Sequence, residues 1–155
     1  MTSTTSHETS HERVQRLADR ADLIDLLTRQ GRWLDEKRFD ESRTIFTEDV
    51  IGDFPSGQLH GVDQLTERAR RNHAEFDRTQ HLTTNHLIDL AGDHATVTAQ
   101  LVAVFTRHAT TAAPEFALGE QYRFEAVRTP QGWRFSRLQM RLHWRVDTAT
   151  PEPDT

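Results

Sequence analysis

Arg78-Thr79-Gln80-His81-Leu82-Thr83-Thr84-Asn85-His86-Leu87-Ile88-Asp89-Leu90 is the stretch on which the fold turns. Before it, apolar residues recur every three or four positions, the period of a helix. From Thr79 they recur at every second position, the period of a strand. The spacing predicts strands over 80–90, 95–107, 116–128 and 133–146. Ala91-Gly92-Asp93, a loop over 108–114 and Thr129-Pro130-Gln131-Gly132 separate them. Long strands joined by short turns pair antiparallel. In the second of them Val97, Ala99, Leu101, Ala103 and Phe105 fall on one face, and Gln100, Val102 and Val104 on the other. Large side chains on both faces predict a sheet covered on both sides. A curved sheet wrapped around the preceding helices meets that demand, and Ala99 and Ala103 leave room for a cavity.

Upstream, the pattern predicts a helix over 12–35 whose stripe is Val14, Leu17, Ala21, Ile24, Leu27, Gly31 and Leu34. Gly31 allows another element to approach closely, at a cost of ~1 kcal/mol relative to Ala. A short helix is expected over 39–46, a strand over 50–54 closed by Pro55-Ser56-Gly57, and a third helix over 62–76. The fold class is α+β, helices first and sheet after.

The chain has 155 residues and reads as one domain over 12–147, with polar tails over 1–11 and 148–155 expected to be disordered. The absence of cysteine excludes disulfides, thiolate metal sites and cysteine nucleophiles. A net charge of -5 argues against nucleic acid as a partner. Arg68, Arg70 and Arg71 alternate with Glu67 and Glu75, as on an ordinary solvated helix face. No leader-like segment and no apolar run of membrane length is present, so no membrane partner and a cytoplasmic location are expected.

His81 stands where the period changes. Asp35 lies one helical turn beyond Gly31 on the predicted buried stripe, where a carboxylate is costly unless paired or facing a wet cavity. It either orients His81 or caps the next helix. A carboxylate that orients an imidazole is the minimum equipment for proton transfer at neutral pH. His86, five residues on, points to the opposite face of a regular strand, so no two-histidine metal site is expected. Asn85 and Asp89 share the parity of His81 on an unbulged strand and are candidate ligand contacts. His143 is a candidate pocket residue or a buried polar group. His60, His73, His94 and His108 fall in turns or helix ends, where solvation is the rule. Trp33, Phe54, Phe76 and Trp144 either wall an apolar pocket or fill the core. No glycine-rich phosphate loop or nucleophile elbow occurs.

The order of helices followed by a long curved sheet resembles the nuclear-transport-factor-2-like superfamily, in its SnoaL-like and scytalone dehydratase-like branch. Arg78-Thr79-Gln80-His81 is similar to the segment that carries the branch's catalytic histidine. Asp35-Glu36-Lys37-Arg38-Phe39 is similar to the stretch whose leading aspartate bonds that histidine. Trp133-Arg134-Phe135 and Leu142-His143-Trp144 match landmarks of the final strand, and the likeness runs from Asp19 to Asp147.

The resemblance implies a cone-shaped α+β barrel with the N-terminal helices in the concave face of a curved antiparallel sheet. It implies a cofactor-independent acid–base enzyme, a dehydratase, cyclase or isomerase of a small hydrophobic carbonyl or polyketide-like compound. It further implies homo-oligomers, dimer or trimer. The catalytic residues would be His81 and Asp35; beside them the Tyr122 hydroxyl is the candidate donor to an enolate if its strand faces the cavity. Leu34, Phe54, Asn85, Ala103, Phe105 and His143 would contact the substrate, with no metal and no cofactor. The chain departs from the branch at Phe105, which stands for a second histidine. It departs again at Tyr122, which stands for an asparagine, and at Leu34, which stands for a tyrosine. Tyr122 is the sole tyrosine, so the branch's tyrosine pair is lacking and scytalone itself is not the expected substrate. The alternative is a non-catalytic small-molecule-binding or accessory protein of the same fold, in which His81 would face solvent or bond backbone.

Overall fold

The structure, a computed structural model, describes residues 8–110 and 113–147. Helix α1 spans Ser10–Asp35. It begins two residues before the expected start because Thr9 and Glu12 form a capping box. The Thr9 hydroxyl accepts the Glu12 N–H, and the Glu12 carboxylate accepts the Thr9 N–H at 2.7 Å. The tails expected to be disordered otherwise lie outside the described residues.

The buried face of α1 is Asp19, Leu23, Leu26, Leu27, Gln30, Gly31, Trp33 and Leu34. The expected stripe was wrong in its first half: Val14 and Leu17 are 65% and 58% exposed. An apolar count could not find the true face because two of its positions are polar. Asp19 is buried because the Arg128 guanidinium grips its two oxygens at 2.8 Å each and the Trp133 indole N–H bonds it at 3.3 Å. This bonding offsets the cost of removing a charge from water. It also pins the helix to the far end of the sheet.

A 3-10 turn covers Phe39–Thr44, and β1 runs Phe46–Phe54, longer than expected. A short strand β2, Gly57–His60, forms a hairpin with it where the sequence suggested only a turn. Helix α2 is Val62–His73 and stops before Phe76. Strands β3 (Arg78–Ala91), β4 (His94–Thr106), β5 (Phe116–Thr129) and β6 (Gly132–Asp147) form the expected antiparallel meander.

The six strands lie in the order β2-β1-β6-β5-β4-β3. The curved sheet is open, and it is mixed rather than wholly antiparallel, because β1 joins β6 in parallel. That pairing joins strands more than half the chain apart and leaves no local sequence signal. Helix α1 packs against the sheet, chiefly on β3. Among the described residues, only this face is covered by a helix. On the other, Leu82, Val102, Gly119 and Trp144 form a row across four strands, and Leu82, Val102 and Trp144 are 40–45% exposed. The Trp144 ring occupies the space a side chain at Gly119 would need.

Candidate active site

Strand β3 and helix α1 meet at Gly31. A methyl group there would lie 3.6 Å from the His81 carbonyl oxygen and 3.9 Å from its Cβ. This close approach lets Asp35, one turn further along α1, reach the strand. Asp35 does not cap the next helix. Its Oδ1 accepts from the Thr79 hydroxyl at 2.9 Å and bonds the His81 Nδ1 at 2.6 Å, and its Oδ2 accepts the His81 backbone N–H at 2.9 Å. Burial pushes the Asp35 carboxyl upward, but the side-chain and backbone hydrogen bonds from His81 outweigh it and hold the group below its ordinary value. An ionised carboxylate accepts only, so Nδ1 carries the hydrogen and Nε2 is left as the basic nitrogen.

His81 lines a partly open cavity of about 340 Å³ between the helices and the sheet. Its side chain is 4% exposed. Alternate residues of neighbouring strands supply the floor. His81 pairs with Ala103, Ala103 with Leu118, Leu101 with Glu120 and Ala99 with Tyr122, so all their side chains share one face. Phe105 meets the His81 ring edge-on at 5.6 Å and stacks on Phe116 at 4.4 Å. Leu34, Phe54, Ala103, Phe105 and Tyr122 all line the cavity. Tyr122 is buried beside Gln30, and burial first, then the Glu120 charge, raises its phenol well above the ordinary range, so the hydroxyl stays a neutral donor.

Three expected contacts are not there. Asn85 sits in a β-bulge between Thr84 and Leu87 with φ 53, a left-handed conformation that asparagine tolerates, and it is exposed. The bulge resets the parity of β3, so Asp89 also leaves the site. His143 falls at a register shift of β6 opposite Gly119 and Glu120; it is exposed and accepts from Arg141 at 3.3 Å. Of the four aromatic candidates, Trp33 and Phe54 line the cavity. Phe76 packs on Phe105 and Phe116, and Trp144 lies on the opposite face.

Three polar lining residues escaped the sequence reading. His73, expected to be solvated at a helix end, is 6% exposed and lies 5.4 Å from the His81 ring. Its Nδ1 donates to the Ala69 carbonyl at 2.8 Å, its Nε2 has no partner among the described residues, and burial lowers its pKa to about 4, so the ring stays neutral. Gln30 comes from α1, and its buried Oε1 likewise lacks a partner. Glu120 projects from β5, with its carboxyl raised by burial against an opposing pull from His81. The parity it shares with Tyr122 was a signal: a charge on an apolar face. Arg68, Asn72 and Arg145 complete the polar lining, with Arg68 stacked over Phe54 and Arg145 over Phe116. Among the described residues no cluster of three or more His, Cys, Asp or Glu is placed to hold a metal, and no helix is long and apolar enough to cross a membrane.

Residues 15–139 match the model of a SnoaL-like domain. No curated protein matches the sequence. Among solved structures the chain is similar to the Kfla4162 protein from Kribbella flavida. The identity is 26% and the TM-score 0.77, over 84% of this chain and 95% of that one. A candidate scytalone dehydratase from Novosphingobium aromaticivorans is 21% identical with a TM-score of 0.76, over 88% and 91%. The hexachlorocyclohexane dehydrochlorinase LinA-type3 from Novosphingobium barchaimii is 17% identical with a TM-score of 0.76, over 92% and 98%. The last two likenesses show a shared fold.

Proposed function

The chain belongs to the SnoaL-like domain family, and on that premise we propose that it is a cofactor-independent acid–base enzyme acting on a small hydrophobic carbonyl compound. His81 is the base. Asp35 holds its Nδ1–H, fixes the ring and stabilises the imidazolium that forms when Nε2 takes a proton from the carbon next to the carbonyl. The Tyr122 hydroxyl donates to the enolate oxygen that develops. Leu34, Phe54, Ala103 and Phe105 exclude water and hold the carbon skeleton. Dehydration, cyclisation and isomerisation all begin with this proton transfer.

The observation that carries the reading is the carboxylate–imidazole hydrogen bond placed against an apolar cavity. A pocket that only binds has no use for a part-buried carboxylate committed to orienting an imidazole, because withdrawing that charge from water is costly. The candidate scytalone dehydratase and the dehydrochlorinase are of the same fold and are named for eliminations, which also start at a carbon-bound hydrogen. Crystals soaked with propiophenone test the arrangement. The reading expects the carbonyl oxygen within hydrogen-bond reach of Tyr122 and the adjacent carbon ~3–3.5 Å from His81 Nε2. A ketone bound with its carbonyl turned away from Tyr122 and its α-carbon far from His81 would contradict it.

A further inference from the structure

Glu120 has no place in that proton abstraction, yet its side chain shares the cavity with His81. In register it sits opposite Leu101, between Leu118 and Tyr122 on the face of β5 that floors the pocket. Among the described residues it has neither a hydrogen bond nor an ion pair. A carboxyl left unpaired against leucine and phenylalanine is costly as a carboxylate and is retained more cheaply as the neutral acid. Burial raises it in that direction. Two proton-transfer groups then face one cavity, the imidazole of His81 held by the Asp35 carboxylate and a protonatable acid at Glu120.

We propose that Glu120 is the general acid of the site and that the leaving group it serves is a hydroxyl, making the reaction a dehydration of a β-hydroxy carbonyl compound. This rests on His81 being the base. The electrons and protons balance without a co-reactant. The His81 Nε2 takes the α-proton, and the electron pair of that C–H bond becomes the new carbon–carbon double bond by way of the enolate. The β-carbon–oxygen bond breaks with its pair going to oxygen, which takes the Glu120 proton and departs as water. The imidazolium and the carboxylate that remain are reset by passage of one proton from His81 to Glu120 through water. Hydroxide is a poor leaving group and needs this proton, whereas chloride leaves unaided. An acid in the pocket therefore separates oxygen from halogen substrates.

Two probes with one skeleton test it: β-hydroxypropiophenone and β-chloropropiophenone, which both eliminate to phenyl vinyl ketone. The ratio of enzymatic water loss to chloride loss is expected to fall about a hundredfold in Glu120→Gln, the lower end of general acid catalysis. The profile of water loss against pH is expected to lose its alkaline limb in the same variant. The other titratable and charged groups at the cavity are His81 from β3, His73 and Arg68 from α2, Tyr122 from β5 and Arg145 from β6, with Asp35 behind His81. All of them remain in the variant, so the limb that vanishes belongs to Glu120. Propiophenone, which has no leaving group, reports the base separately through exchange of its α-hydrogens in deuterated water. Exchange by the wild type together with an unchanged ratio and an unchanged alkaline limb overturns the role of Glu120 alone. Exchange without any loss of water from the hydroxy probe overturns it too. A wild type that fails to exchange overturns the base on which it rests, and Glu120 with it.

Discussion

Asp35 holds His81 at two points, the imidazole Nδ1 at 2.6 Å and the backbone N–H at 2.9 Å, so one carboxylate fixes both the ring and the strand that carries it. Thr79 adds a third donor at 2.9 Å. Removing the acceptor strands all three. Asp35→Ala is therefore expected to lower stability by about 2–4 kcal/mol, because part-buried donors left unsatisfied each carry a desolvation penalty. Urea denaturation checks this, and an unchanged midpoint would mean that water replaces the carboxylate without cost.

Acid should loosen the fold through three aspartates. Asp53 is held at about 2 by Arg137 and then Gln58. Asp19 is held low by Arg128, and Asp35 is held low by His81 in spite of its burial. The unfolded chain binds these protons more tightly than the folded one, so their stabilisation is fully present above the ordinary aspartate range. It is lost as pH falls through about 4 toward 2. Melting temperatures taken across that interval are expected to drop steeply, with little change between about pH 5 and neutrality from these groups.

The Asp19–Arg128–Trp133 junction lies away from the cavity, so its loss separates stability from chemistry. Asp19→Ala is expected to cost about 2–3 kcal/mol, below the full value for a buried pair because Arg128 is one-third exposed. Activity per folded molecule should remain. Reduced activity at full folding would imply that α1 shifts against β3.

Gly31 gives a steric test of the contact that brings helix and strand together. Its hypothetical methyl group meets His81 only at ordinary contact distance. Gly31→Ala is therefore expected to be tolerated or to stabilise by up to ~1 kcal/mol through helix propensity. Gly31→Leu has no space and should push β3 from α1, lowering activity more than stability. Equal activity in the two variants would show that this contact does not set the position of His81.

The period-2 pattern of Val97, Ala99, Leu101, Ala103 and Phe105 made β4 and its pocket face legible, because every second residue there is apolar and small ones leave room. Asp35 and His81 were legible through their positions on a stripe and at a change of period. What escaped the sequence was polar or non-local. Asp19 and Gln30 hide the phase of α1, since their burial depends on partners distant in the chain. Asn85 and His143 were misplaced by bulges, each of which flips a strand's parity with a single extra residue. The parallel pairing of β1 with β6 depends on strands far apart in sequence. Glu120 was readable by its parity with Tyr122, although a charge on a strand ordinarily suggests solvent.

The central claim, that the Asp35–His81 pair removes a proton from carbon next to a carbonyl, is tested most directly by the rate of α-hydrogen exchange of propiophenone in deuterated water, followed by proton magnetic resonance. The wild type is expected to exceed the buffer rate, His81→Ala to lose about 10²–10⁴-fold of that enzymatic rate, and Asp35→Asn to lose at least about tenfold with the fold intact. Exchange at the buffer rate by the wild type, or an enzymatic rate untouched in folded His81→Ala, would contradict the account.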